Sequence, residues 1–149
     1  MKVGSAKIEV LFPPHSKTIQ GHGLDVIQDQ LGSAQKTIDL ALFVFSAQQL
    51  TAKLAERMSA GVKIRLLADP GFASRSFSEV LDLLGVALPD RFCKFEAGNQ
   101  PLITPLKGVG TPHLARGDKL HHKFAVIDNK TVITGSFNWS PSAAHTNDE

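Results

Sequence analysis

The sequence predicts an α/β fold, a mixed and largely parallel β-sheet flanked by helices on both faces. Three observations predict it. Residues 38–45 and 62–68 are near-continuous apolar runs, as in strands covered on both faces. Between them Leu50, Leu54 and Met58 recur at helical spacing. Together these form a βαβ unit, with parallel strands and a right-handed crossover. Farther on, residues 120–127 and 132–135 are apolar strands joined by Asp128-Asn129-Lys130, which reads as a hairpin turn.

The remaining elements follow from local signals. Residues 8–12 are a short apolar run stopped by Pro13-Pro14, which reads as a first strand. Leu24, Ile27 and Leu31 recur at i, i+3 and i+7 and mark a helix over residues 22–36. Ser46 is the expected N-cap of the second helix, and Gly61 ends it. Asp69-Pro70-Gly71 opens a loop. Residues 77–84 read as a third helix, with Ser76 or Ser78 near its start, and residues 92–95 as a short strand. Residues 97–118 are rich in Gly and Pro without a period. A loop of that length in a compact domain is usually functional or disordered.

Composition narrows the function classes. The 149 residues suit one domain, and an apolar fraction of 42% excludes disorder as the main state. A formal charge of +2 is too small to announce a polyanion partner, although six histidines add charge in mild acid. The single cysteine, Cys93, excludes an intramolecular disulfide and zinc-finger spacing. It is expected to be a buried small apolar residue beside Phe92 and Phe95. The first twelve residues lack the basic start and apolar run of a signal peptide, so a cytoplasmic location is expected. No stretch approaches the length of a membrane span, so no integral membrane segment is expected.

The chemistry concentrates after Lys119. His121-x-Lys123 is followed by four residues and Asp128, then six residues and Gly135-Ser136-x-Asn138. Asn147 and Glu149 close the chain. Residues two apart on a strand share a face, so His121 and Lys123 should point the same way. The hairpin then brings Ser136 and Asn138 toward the same end of the sheet. A nucleophile, a fixed cation, a hydroxyl and an amide suit a tetrahedral anion with spread charge, such as a phosphodiester. No further cluster has metal-ligand spacing, so Lys123 is expected to stand where a metal would stand elsewhere. Asp128 lies at the hairpin, where strand parity breaks, and is expected to hold the turn or a neighbouring chain. Trp139 reads as a packing residue, with base stacking as the alternative. His122 should face away from the site.

This pattern of six residue types at fixed offsets resembles the signature of the phospholipase D superfamily, and in particular its small single-motif bacterial endonucleases. The resemblance implies that superfamily's α/β/α sandwich as one domain over residues 1–149. Relatives continue past Asn-x-Glu into an apolar strand, so that strand is expected to be missing. The resemblance also implies a metal-independent phosphodiesterase without cofactor, acting through a covalent phosphohistidine on His121. Lys123, Ser136 and Asn138 would hold the phosphate, with Asp128 in the catalytic signature. Glu149 would bond the other ring nitrogen of His121.

That mechanism needs two histidines, and this chain has one signature. His15, His22, His113 and His145 lack the lysine and aspartate. A homodimer pairing two copies of His121 across a two-fold axis supplies the second. The alternative is half of a longer two-motif protein. Three functions stay open: a low-specificity nuclease on DNA or RNA, a phospholipase D acting on phospholipid head groups, and a module that only binds nucleic acid. Lys107, Arg116 and Lys119, with His113, are candidates for a polyanion groove.

Overall fold

The computed structural model describes residues 2–16, 18, 21 and 23–146. Two short strands, β1 (Lys2–Val3) and β2 (Ala6–Lys7), form a small antiparallel pair. Helix α1 (Gly23–Gly32) leads into β3 (Thr37–Leu42), then α2 (Gln48–Ser59) and β4 (Lys63–Ala68). Two short helices follow, α3 (Pro70–Ala73) and α4 (Glu79–Leu83). Strand β5 (Val109–Gly110), the hairpin β6 (Lys123–Ile127) and β7 (Thr131–Thr134), and α5 (Pro141–His145) complete the order.

The main sheet runs β5-β4-β3-β6-β7. The βαβ unit is present, with β3 and β4 parallel from Thr37↔Lys63 to Leu42↔Ala68. β5 also runs parallel to β4. β6 and β7 are antiparallel additions, with Leu42 opposite Lys123 and Phe124 opposite Thr134. The sheet is mixed, as expected, but parallel and antiparallel pairings balance rather than parallel ones prevailing.

The register aligns one apolar face. Ile38, Leu40 and Leu42 stand beside Ile64, Leu66 and Ala68 on one side and Ala125 and Ile127 on the other. Leu24, Ile27, Leu31, Leu50 and Leu54 from α1 and α2 close over them. The opposite face is buried at Ala41 and half-buried at Asp39, Phe124 and Val126. Lys63, Arg65 and Leu67 are exposed on it, and Arg65 pairs with Asp39 at 2.6 Å. β4 is therefore covered on one face, not on both as its apolar run suggested. The signal was in the run itself, because Lys63 and Arg65 alternate with Val62, Ile64 and Leu66. That period of two belongs to a strand buried on one face.

Other boundaries shift for local reasons. α1 occupies 23–32 rather than 22–36, and β3 ends at Leu42 rather than Phe45. Ala47, not Ser46, caps α2, and no side chain bonds its first amides. Ser78 caps α4 as expected, accepting from the Val80 amide. Residues 8–12 form no strand; Phe12 is 78% exposed. Apolar character alone does not make a strand, which also needs a neighbouring chain in register.

Residues 92–95 form no strand either. Oδ1 of Asp90 accepts from the amides of Phe92 and Lys94, closing a turn. A side chain so close in sequence outcompetes a distant ladder. Cys93 sits in that turn at φ 59° and is exposed, not buried. In the long loop, Gly108 lets the chain lie against β4. A Cβ there would stand 2.3 Å from the Ile64 carbonyl, and the Leu66 amide donates to the Gly108 carbonyl.

Asp128 and Asn129 take left-handed backbone at φ 52° and 55°, which Asp and Asn tolerate best after glycine. The Asp128 carboxylate then reaches the chain leading into β3. It accepts from the amides of Gln35, Lys36 and Thr37 at 2.7–2.8 Å. Those amide donors, led by Thr37, hold its carboxyl below the usual carboxylate range. Replacing Asp128 by Asn removes the charge and one acceptor. We predict a melting temperature lower by roughly 3–6 °C at neutral pH. Because the folded state favours the ionised form, this stabilisation is present at neutral pH and lost as acid protonates the wild type. The difference between wild type and variant should therefore shrink below about pH 4, in thermal melts at several pH values.

Glu79 opens α4, and its amide donates to the Phe45 carbonyl at 3.0 Å. Its side chain is only 3% exposed, and Oε2 has no hydrogen-bond partner among the described residues. Burial pushes its carboxyl up to about 7, opposed by the Thr51 hydroxyl and reinforced by the charges of Asp82 and Glu96. The folded state thus holds this proton more tightly than the unfolded chain, whose carboxyl titrates near 4.5. Stability from this group is full below that value and lost as pH rises toward 7, on the order of 3 kcal/mol. Glu79→Gln is expected to flatten that part of the stability profile, measured by thermal melts between pH 4.5 and 8. An unchanged slope would refute it.

Candidate active site

Three chain segments meet at the carboxyl end of β3. The Phe43 amide donates to the His122 carbonyl at 2.8 Å, carrying the β3–β6 ladder one step past its last strand residue. The Asp69 amide donates to the Leu42 carbonyl at 3.1 Å, bringing in the turn after β4. Beyond the bend at Phe43, the Trp139 amide donates to Val44 and the Ser46 amide to Trp139. This brings the segment after β7 alongside. The carboxyl ends of strands in open α/β sheets are where ligands usually bind.

His121 and Lys123 are brought together here. Lys123 is 6% exposed and His121 is exposed. The Lys123 ammonium donates to the His121 carbonyl at 2.9 Å. It also lies 3.2 Å from Nδ1 and 3.3 Å from Nε2 of the same ring. It cannot point along both nitrogen lone pairs at once, so it sits against the imidazole as a fixed positive charge. The Phe43 ring supports both groups, with its centroid 4.5 Å from the His121 ring and 4.9 Å from the ammonium. The Phe72 ring packs edge-on against Phe43 at 4.6 Å. His122 turns away toward Phe124, as expected, at 5.7 Å.

Ser136 and Asn138 follow β7. Ser136 is exposed and shares with Lys123 the lining of a cleft of about 690 Å³ between β7, α1 and residues 7–13. His121 does not line that cleft. Asn138 is half-buried, and its Oδ1 has no hydrogen-bond partner among the described residues. Trp139 is fully buried edge-to-face against Phe45, a packing residue with no face left for a base.

Other candidates fall elsewhere. Asp128 lies beyond the far end of β6, whose five residues span roughly 16 Å. It is a structural residue, not part of the site, because a strand carries its two ends apart. Glu149 and Asn147 lie outside the described residues. Lys119 is exposed beside Gly71, at the same end as His121. Arg116 stands on the exposed turn closed by the Asp118 amide and the Ala115 carbonyl. Lys107 precedes β5, level with the start of β4, and so lies toward the opposite end of the sheet. The three basic residues do not line one groove.

Sequence reasoning passed over Phe43, Phe72 and Asp69. Asp69 was legible only as the opening of a loop, yet it is buried and bonded on every side. A lone Asp-Pro-Gly gives a turn signal and no hint of a distant partner. Among the described residues, no group of three or more His, Cys, Asp or Glu side chains could hold a metal. No helix among them is long and apolar enough to cross a membrane.

Comparison with known proteins agrees with this geometry. The family model described as "Cardiolipin synthase, PLD-like domain" matches residues 27–149. A mitochondrial cardiolipin hydrolase of Xenopus tropicalis is 30% identical over 116 residues, covering 78% of this chain and 45% of that protein. A phospholipase D of Rickettsia bellii is 27% identical over 148 residues, 99% of this chain and 61% of that one. The chain thus spans about half the length of several curated relatives it matches. Among solved structures, Nuc of Salmonella typhimurium, a phospholipase D family member, superposes with a TM-score of 0.62 at 19% identity, covering 87% of this chain and 73% of that one. NucT of Helicobacter pylori gives 0.63 at 21% identity, covering 84% and 72%. A family match over most of the chain, joined to a His-x-Lys pair at the carboxyl end of a matching sheet, places this protein in the phospholipase D superfamily.

Proposed function

We propose that the chain cleaves phosphodiesters without a metal ion, with His121 as nucleophile, and that its substrate is a DNA or RNA strand. The single observation that carries the reading is the buried Lys123 ammonium held against an exposed His121 ring. An exposed imidazole ring is accessible to a phosphodiester. A cation fixed within hydrogen-bond range attracts the non-bridging oxygens and stabilises their growing charge.

The chemistry runs in two displacements. One ring nitrogen of His121 attacks phosphorus, the bond to the leaving oxygen breaks, and a second imidazole gives that oxygen a proton. Water then attacks the phosphohistidine, its proton passes to the second imidazole, and the P–N bond breaks. The second imidazole comes from His121 of another copy in a two-fold dimer. Ser136 and the Asn138 amide stand on the segment that returns toward the site, available to phosphate oxygens. Glu149 would orient the His121 ring.

An open sheet end favours a polymer, since a strand can run past without entering a closed pocket. Lys119 and Arg116 lie on the segment that approaches His121 and suit flanking phosphates. A second reading, hydrolysis of phospholipid head groups, has its own support. The curated relatives named above act on lipids by name. Phe92, 64% exposed, also carries the Arg91 guanidinium over its ring at 4.6 Å, an apolar and cationic pairing suited to an anionic bilayer.

In excess EDTA, wild type is expected to nick plasmid DNA, and His121→Ala to lose roughly 10⁴-fold or more in rate. Light scattering should find the active species dimeric. Head-group release from phosphatidylglycerol vesicles without nicking would select the lipid reading. Full activity in His121→Ala would refute the mechanism.

A further inference from the structure

We infer that Asp69 is the positioning residue for the His121 nucleophile, holding both its backbone and its ring. The inference rests on the phosphodiesterase reading of His121. Asp69 follows β4 directly and is 1% exposed. Its two carboxylate oxygens serve different walls of the site. Oδ1 accepts from the amides of Gly71 and Phe72 at 2.9 and 3.1 Å, which forms the short helix α3. Oδ2 accepts from the Leu120 amide at 3.0 Å, across 51 residues of chain.

Both walls lead to His121. Leu120 is its neighbour in sequence, so the second bond holds the backbone that carries the imidazole. Phe72, fixed by the first, packs on Phe43, and Phe43 packs on the His121 ring. This support matters because β6 begins only at Lys123. The ladder's last step is at His122, so residues 120 and 121 stand outside the sheet. Asp69 supplies the backbone bond just upstream of the nucleophile. A buried carboxylate accepting three amide hydrogens is satisfied, and its loss would leave those donors without partners.

The residue type follows from the count of acceptors. A carboxylate has two oxygens that accept, and both are used. Asn offers one oxygen and turns an N–H₂ group toward a donor on the other side. Ser is an adequate cap for α3 but is too short to bond Leu120 as well. If Asp69 were only a helix cap, Asp69→Ser would keep the site intact. If it positions His121, Asp69→Ser and Asp69→Asn both loosen the nucleophile in a folded protein.

The test is steady-state hydrolysis of bis(4-nitrophenyl) phosphate in EDTA by wild type, Asp69→Asn and Asp69→Ser, with Leu31→Ala as a destabilised control remote from the site. In parallel, amide exchange of Leu120 and the ring resonances of His121 are followed by NMR. Both Asp69 variants are expected to lose roughly 10²-fold in kcat with KM within about twofold, the loss typical of a misplaced reacting group. The Leu120 amide should exchange faster and the His121 ring signals broaden or multiply, while Ala125 keeps its protection. Leu31→Ala should keep kcat per folded molecule and a single set of His121 signals. Wild-type kcat in Asp69→Ser, or unchanged Leu120 exchange and His121 signals in either variant, overturns the inference. If wild type does not turn over the probe, the phosphodiesterase reading fails, and the NMR measurements alone decide whether Asp69 positions His121.

Discussion

The antiparallel ladder between β3 and β6 is the constraint on which the site depends. Its register puts Lys123 opposite Leu42, and so places a lysine in line with the apolar residues Ala125 and Ile127. One more bond, from Phe43 to His122, carries the pairing just past the strand and stops beside His121. Two carboxylates close the ladder where backbone pairing runs out. Asp128 binds the amides leading into β3 at one end, and Asp69 binds the Leu120 amide at the other. Each substitutes a side-chain acceptor for a missing strand neighbour. The same physical device therefore holds the foot of the sheet and the working end.

Burying Lys123 removes an ammonium from water, and such a group must find acceptors nearby. It finds the His121 carbonyl and the imidazole itself. The aromatic face of Phe43 adds a favourable quadrupole. The desolvation that makes the lysine expensive also shields its field from solvent. Glu79 and Asp82 are buried beside α2, and the exposed Glu96 lies near enough to add its charge. Asp82 accepts from Gln48 and the Gln100 amide, whereas Oε2 of Glu79 is left without a partner among the described residues. Burial without a partner for Oε2 pushes the Glu79 carboxyl up to about 7.

Local readings succeeded where periodicity and sequence-neighbour chemistry decide. Leu24, Ile27 and Leu31 mark α1, Ser78 caps α4, and Asp128-Asn129 turns the hairpin. They failed where an apolar run depends on a partner. Residues 8–12 and 92–95 read as strands, but the first finds no ladder among the described residues and the second is captured by Asp90. Cys93 followed the second error, because a turn at positive φ exposes what a strand would have buried.

By itself the sequence determined the residue types of the chemistry and their offsets along one strand and hairpin, because strand geometry converts spacing of two into proximity. The pairing along β6 and the turn at Asp128 are such cases, whereas His121 lies just outside β6 and is held beside Lys123 by the bond from the ammonium to the His121 carbonyl. Tertiary structure alone decided which distant groups stand around them. Phe43, Phe72 and Asp69 reach His121 from β3 and from the turn after β4. Asp128, the signature's third residue, is carried to the opposite end, and Lys107 is separated from Lys119. These placements depend on strand order and register. Those arise from burying one apolar face, a global balance that no local spacing encodes.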